Sequence, residues 1–434
     1  MPDLTRKRNI GSLFSLQAPA KSVLCSLLML VPLLTTLAAC GVTNSGGKIQ
    51  LTLWYWDRSI DDNLIAQVGK VFPNIQLNAQ KISDYDNKVR TAMAGHNGVP
   101  DILGINSNVA TYYPDEDQFY DLRTLGANDV QSQYLPWKWQ LGVAPDGKMI
   151  AFPMDTGPTA LFYRADIFAQ AGLPTDPQQV SAQIKTWDDY LQAAQKVKTA
   201  TNGKSFLIDN ITTVYNQMMA QSARQYFDKS GKYIGDQAYM KQIWDEAVKA
   251  HQMDVTAKVP MWTTEWNQAV SQGLIASFVG AVWMKQILEE AAPDTKGKWR
   301  IAYAPGGAGN NGGSFLAISK YCQYPKEAFE VVKWLQSPQN QLTGYNELQL
   351  YPSTPATFDN QSMYKPEAFF GNEDTTPIFS TIVKQVPIFG VSPDDGAAGT
   401  GFSDQLSLME FQNKNPDQAW KDAQAESQRL LTLQ

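Results

Sequence analysis

The chain has 434 residues, 43% of them hydrophobic and 18% charged, with a formal net charge of −6. That length exceeds the usual size of one hydrophobic core and predicts two domains. The composition is that of an ordinary globular chain and not a disordered one, and the acidic balance argues against a nucleic-acid binder, which would normally show a basic surface.

In chain order, Arg6, Lys7, Arg8 and Lys21 precede an apolar run, residues 23–37, of signal-peptide length. It is too short for a comfortable membrane span. The run ends in Leu37-Ala38-Ala39-Cys40-Gly41, a spelling that resembles the bacterial lipobox. Residues 1–39 are therefore expected to be a signal peptide, Cys40 the lipidated first residue, and 40–48 the anchor and tether. Cleavage would remove four of 36 basic and one of 42 acidic residues, leaving 32 and 41 and a formal charge of −9. Cys25 would leave with the signal, so Cys322 stands alone, and a buried small apolar role is expected for it.

Ile49, Leu51 and Leu53 alternate as a strand does. Ser59-x-x-Asp62 reads as a helix capping box, with Leu64, Val68 and Val71 on one face behind it. A strand over Ile75, Leu77 and Ala79, a helix marked by Tyr85, Val89 and Met93 and stopped at Gly95, and a strand at 101–105 follow. Strands alternating with helices predict a parallel sheet, whose ligands sit beyond the C-terminal strand ends. Those ends carry Trp54-Tyr55-Trp56-Asp57-Arg58, Lys81-Ile82-Ser83 and Asn106-Ser107-Asn108. A Trp-Tyr-Trp run cannot bury every ring on one face of a strand, so at least one ring should be exposed. Trp137-Lys138-Trp139 lies in a segment that reads as helix and is expected to pack. Gly142 to Lys148 fits the first part of a phosphate-binding loop, but Met149 follows where Ser or Thr is needed; a turn at Pro145-Asp146-Gly147 explains it better.

The chain is organised around residues 149–172, MIAFPMDTGPTALFYRADIFAQAG. Pro153 and Pro158 argue against an ordinary central strand and for a connection between two units. Thr186 and Asp189 then predict a capped helix, and helical patterns with Trp244, Trp262, Trp266 and Trp283 run to about residue 290. A strand at 299–304 is followed by a glycine-rich stretch. Gly307 to Gly312 fits a dinucleotide fingerprint but leads into a strand, 315–318, where that fingerprint must open a helix. A helix from Pro325, the stretch Leu350-Tyr351-Pro352-Ser353-Thr354-Pro355 and a last helix at 416–431 complete the chain.

The stretch Pro153 to Pro174, together with Phe278 to Trp283 and the order of the later segments, resembles the family 1 extracellular solute-binding proteins, the group that includes maltose-binding protein. Two departures stand out. Phe162-Tyr163-Arg164 replaces Tyr-Tyr-Asn, and one extra residue separates Gly280 from Trp283. The resemblance implies an α/β, two-domain periplasmic-binding-protein type II fold, each domain a mostly parallel sheet flanked by helices. Three hinge crossings would fall near 155–160, 303–311 and 350–355. The first lobe would span 49–154 and 305–350, the second 155–304 and 351–434. The function implied is capture of a carbohydrate, a di- or oligosaccharide, and its delivery to the permease subunits of an ABC importer. The protein would act as a monomer on the outer face of the cytoplasmic membrane, without catalysis, cofactor, metal or nucleic acid.

A second class also fits an exported chain with aromatic strand ends, namely a glycoside hydrolase. The two histidines, His96 and His251, lack partners at metal-ligand spacing, and no G-x-S-x-G appears. A carboxylate pair remains open, with Asp57 and Asp155 best placed, though hydrogen bonding to sugar hydroxyls suits both. The apolar face of a pyranose fits a flat ring, and its hydroxyls need partners once water is excluded. The candidates are Trp54, Trp56, Asp57, Arg58 and Asn106 at strand ends, Asp155 and Tyr351 at crossings, and Trp283. Gly313 would let the backbone approach the ligand. The resemblance adds Trp262, and Phe402 is expected in a loop after Gly399-Thr400-Gly401.

Overall fold

The computed structural model describes residues 47–388 and 390–433. The expected signal segment and Cys40 lie outside the described residues. Among the described residues ten strands form three groups: β1 (Ile49–Tyr55), β2 (Ile75–Lys81), β3 (Ile102–Ile105), β4 (Phe152–Pro153), β5 (Asp155–Thr156), β6 (Thr159–Arg164), β7 (Ser277–Ala281), β8 (Trp299–Tyr303), β9 (Phe315–Ile318) and β10 (Tyr351–Pro352). The first sheet has the order β2-β1-β3-β9-β4. Its β1, β2 and β3 run parallel, while β9 is antiparallel to both its neighbours. The second sheet, β7-β6-β8, is antiparallel throughout. The expectation of a mostly parallel sheet in each lobe is thus corrected for the second, where β6 receives its partners from chain more than a hundred residues away.

The helices of the first sheet follow from local signals. In α1 (Asp62–Val71) the cap is Asp61, whose carboxylate accepts from the Leu64 amide at 3.0 Å; the expected cap at Ser59 lies two residues too early. Leu64 and Val68 are buried, while Val71 is exposed. In α2 (Tyr85–Gly95) Tyr85, Val89 and Met93 form the buried face as their spacing predicts. Thr186 and Asp189 cap the helix Trp187–Ala200 reciprocally, at 3.1 and 2.9 Å. The Pro145-Asp146-Gly147 turn closes with Ala144 donating to Lys148, Gly147 standing at φ +98°.

Two cores cover the faces of the first sheet, with Leu51, Leu53 and Phe329 in one and Leu103, Ile105 and Phe315 in the other. Two more flank the second sheet. Trp137 of α3 (Pro136–Leu141), Leu342 and Tyr345 pack with the second sheet, although the sequence reading assigns them to the first lobe. Trp137 Nε1 donates to the Val383 carbonyl at 3.0 Å.

Three segments pass side by side between the sheets. β5 leads from β4 to β6 and pairs with β10, Thr156 facing Tyr351 and Asp155 facing Pro352. The segment between β8 and β9 joins them: Asn311 donates to the Gly157 carbonyl, and Asn310 Oδ1 accepts from the Gly157 amide, both at 2.8 Å. Gly157 allows this approach, because a Cβ there would stand 2.0 Å from the Asn311 carbonyl oxygen.

Candidate functional site

The C-terminal ends of β1 and β3 face the start of the helix Met284–Ala291 across a cavity of about 460 Å³. Trp56, Asp57, Arg58, Asn106 and Ser107 line it from the first sheet, Trp283 and Ile287 from the second. Asp155, Asn311, Gly312, Gly313 and Ser314 form its floor at the crossings. A further cavity of about 420 Å³ shares Trp56 and Asn106 and continues along the start of α2 to Asp86 and Arg90. Both volumes fall in the range of ligand sites. A much smaller space, about 30 Å³, lies behind Asp155 and has room for little more than water.

The walls are held differently. Trp56 lies one residue beyond the last ladder position of β1 and rests edge-on against Tyr85 at 5.0 Å, so its ring stays half-buried. Asp57 is exposed and pairs with Lys81 at 3.2 Å. Arg58, at φ +63°, reaches across the cleft to Gln286 and to Glu290, the latter at 3.4 Å. On the opposite wall Trp283 donates Nε1 to the Asn311 carbonyl at 3.0 Å. Trp262 stacks on it with centroids 5.7 Å apart and planes 24° apart. Trp262 is 64% exposed and stands at φ +69°, a left-handed conformation that a bulky residue rarely adopts. Its other face is open to solvent, which makes the pair an apolar platform at the cleft edge.

The floor carries two buried titratable groups of opposite kind, Asp155 and Lys138. Asp155 accepts from the Ser314 amide at 2.8 Å. The residue keeps part of its surface in the cleft while its carboxylate is enclosed by protein. Burial pushes that carboxyl up, against the opposing pull of Lys138 and Ser314. Lys138 is fully buried beside it, with Nζ 3.4 Å above the centre of the Phe315 ring. Burial pulls its ammonium down to about 7, and Asp155 opposes that shift. Gly313, at φ +87°, closes over this pair, since a Cβ there would meet the Asp155 carbonyl oxygen at 2.7 Å and Lys138 Nζ at 3.1 Å.

The cleft therefore brings together Trp56, Asp57, Arg58, Asn106, Asp155, Trp283 and Gly313, with Trp262 stacked at its edge. Three expected residues lie elsewhere. Trp54 is buried and lines a groove beside α2, under Lys88 at 4.6 Å. Tyr351 is wholly buried, its hydroxyl 2.6 Å from Ser380 Oγ. Phe402 is not in a loop: it sits in the helix Asp395–Gln412 and stacks on Tyr215 in the core. The sequence reading missed Lys138, Ile287 and Asn311. Ile287 follows Trp283 by one helical turn, which is the signal that could have found it. Among the described residues no group of three His, Cys, Asp or Glu side chains is placed to hold a metal ion. Cys322 is buried, and burial pushes its thiol up to about 12.

Two lobes joined by three crossings, with a cleft at the strand ends, define a two-domain solute-binding protein. A model of the bacterial extracellular solute-binding proteins matches residues 57–342, and the chain belongs to that family. It is 27% identical to the arabinooligosaccharide-binding protein of Bacillus subtilis (strain 168), over 68% of this chain and 69% of that one. It is 25% identical to the lactose-binding protein of Rhizobium radiobacter, over 80% of this chain and 85% of that one. A crystal structure of an extracellular solute-binding protein of family 1 superposes with a TM-score of 0.84 at 27% identity, covering 88% of this chain and 99% of that one. The galacto-N-biose-/lacto-N-biose I-binding protein from Bifidobacterium longum has the same fold, with a TM-score of 0.74 at 20% identity, over 90% and 98% of the two chains.

Proposed function

We propose that this chain captures a di- or oligosaccharide between its lobes and delivers it to an ABC importer, anchored to the outer face of the cytoplasmic membrane through a lipid on Cys40. The observation that carries the reading is the Trp262–Trp283 platform set across from Trp56, Asp57 and Asn106. An apolar ring face opposite hydrogen-bonding groups matches a pyranose, which has an apolar C–H face and a rim of hydroxyls. The continuation of the cleft past Trp56 suits a chain of more than one sugar. Relatives named for arabinooligosaccharide and lactose binding support the same class.

Binding without catalysis is the reading for the two carboxylates. Asp57 is engaged by Lys81 and Asp155 by the Ser314 amide, so each has a structural partner. The test is titration of intrinsic tryptophan fluorescence with arabino-oligosaccharides, lactose, other oligosaccharides, amino acids and polyamines. A sugar response is expected. A response to amino acids or polyamines alone overturns the carbohydrate reading, and cleaved sugar after prolonged incubation overturns the absence of catalysis. Cys40→Ala should leave the chain unprocessed or released; a processed mutant that fractionates with membranes like the wild type refutes the anchor.

A further inference from the structure

The segment from Thr256 to Trp266 carries the outer ring of the aromatic platform, and one buried residue outside the cleft holds it at both ends. Ile208, Asp209 and Asn210 run beside its first half. Thr256 bridges Ile208 in parallel, the Ala257 amide donates to the Ile208 carbonyl at 2.8 Å, and the Val259 amide donates to the Asp209 carbonyl at 3.0 Å. Asn210 Nδ2 donates to the Val259 carbonyl at 3.1 Å, while its Oδ1 caps the helix Ile211–Gln221 by accepting from the Thr213 amide at 3.2 Å. The second half is fixed by the Asp209 carboxylate, whose Oδ2 accepts from Trp266 Nε1 at 3.1 Å. Thr263 closes the turn between them: its Oγ1 donates to the Pro260 carbonyl at 2.9 Å and accepts from the Trp266 amide at 3.1 Å.

Asp209 and Trp266 are each 1% exposed. An enclosed carboxylate is costly unless its oxygens have donors, and both of these do, Oδ1 taking the Asn210 amide at 2.7 Å. Asp209 therefore joins Val259 to Trp266, the first through its carbonyl and the second through its carboxylate. Trp262 lies between those two points at φ +69°. A bulky residue keeps such a conformation only where its surroundings over-determine it. The fixed flanks do so, and they set the exposed ring on Trp283. Asp209 itself does not line the cleft, so its route to a ligand runs through Trp262.

We infer that Asp209 is a positioning residue for sugar affinity, a staple across the segment that carries Trp262 and fixes that ring in the platform. Its effect on affinity rests on the carbohydrate reading; its effect on the ring does not. The test joins a ligand-free measurement to a double-mutant cycle. In the chain labelled with 5-fluorotryptophan, the Trp262 fluorine resonance is assigned by its loss in Trp262→Phe. Asp209→Ala should move or broaden that resonance and leave that of Trp420, in the last helix, unchanged. Trp266→Phe removes the same hydrogen bond while keeping a buried ring, and should move the Trp262 resonance in the same way if Asp209→Ala does not fold. In calorimetric titration with the sugar that the wild type binds, Asp209→Ala should weaken binding about threefold, within the roughly fivefold loss expected on removing the Trp262 ring. In a Trp262→Ala background it should weaken binding no further. An unmoved Trp262 resonance in both variants, or an equal loss of affinity with and without the Trp262 ring, overturns the staple. A wild type that binds no sugar overturns the carbohydrate reading alone, and the resonance then decides the staple by itself.

Discussion

On the first-sheet wall of the cleft, Trp56, Asp57 and Asn106 extend from strands locked in a regular ladder, and their positions follow from register. On the opposite wall Trp262 and Trp283 depend on a left-handed residue and on one hydrogen bond to the crossing at Asn311. The first wall offers polar groups on a rigid frame; the second offers an apolar platform tied to the segments between the lobes. The contrast predicts that selectivity for hydroxyl pattern resides on the first wall and stacking affinity on the second.

Removing the platform should have the largest effect. Trp283→Ala loses a large apolar face and its bond to the crossing, and should weaken sugar binding by about 2–3 kcal/mol in calorimetric titration. Unaltered affinity would return Trp283 to a packing role and leave the polar wall alone in charge. Lys138 tests the floor between the walls. Its folded pKa near 7 lies below the ordinary lysine value, so the unfolded chain holds more protons between about pH 7 and 10. Stability therefore rises with pH in that window. From pH 7 to 9, wild type should gain about 2 kcal/mol over Lys138→Met in denaturant unfolding. Parallel pH profiles of the two proteins would refute the depressed lysine.

Trp262→Ala should cost about 1 kcal/mol of sugar affinity, less than Trp283 because the ring is largely exposed and supports the platform from outside. The smallest effect is expected at the contact that joins the walls. Arg58→Ala breaks the reach to Gln286 and Glu290, and partly exposed ion pairs contribute about 0–1 kcal/mol. Its signature should appear in small-angle scattering as a larger mean radius without ligand. Identical radii for mutant and wild type would show that Arg58 does not bias closure.

The frame of the first lobe was legible because its signals are local. Alternation marked β1 and β2, and four-residue spacing marked the buried face of α2. The ends of β1 and β3 led to Trp56 and Asn106, but not to the fate of Trp54, whose ring is covered from α2, an element that strand periodicity does not describe. The antiparallel second sheet was hidden because its pairings are between distant segments. Phe402 was misread for a physical reason: Gly396, Gly399 and Gly401 lower helix propensity, yet they sit in a helix. Gly401 lets that helix approach the last one so closely that a Cβ would stand 2.6 Å from the Ser427 amide. Lys138, flanked by two packed tryptophans, gave no sign that its charge would be buried under the cleft.

The segment between Thr256 and the helix Thr264–Gln272 belongs to no ladder, and it turns twice through left-handed residues, Lys258 and Trp262. Ala257, Val259 and Met261 of this segment pack against a core beside the second sheet, whereas the exposed Trp262 can be exchanged, altering the outer half of the aromatic platform, while that packing stays as it is. Natural variation in ligand choice among descendants of this chain is expected to accumulate first at Trp262, where a new specificity carries the least cost to folding.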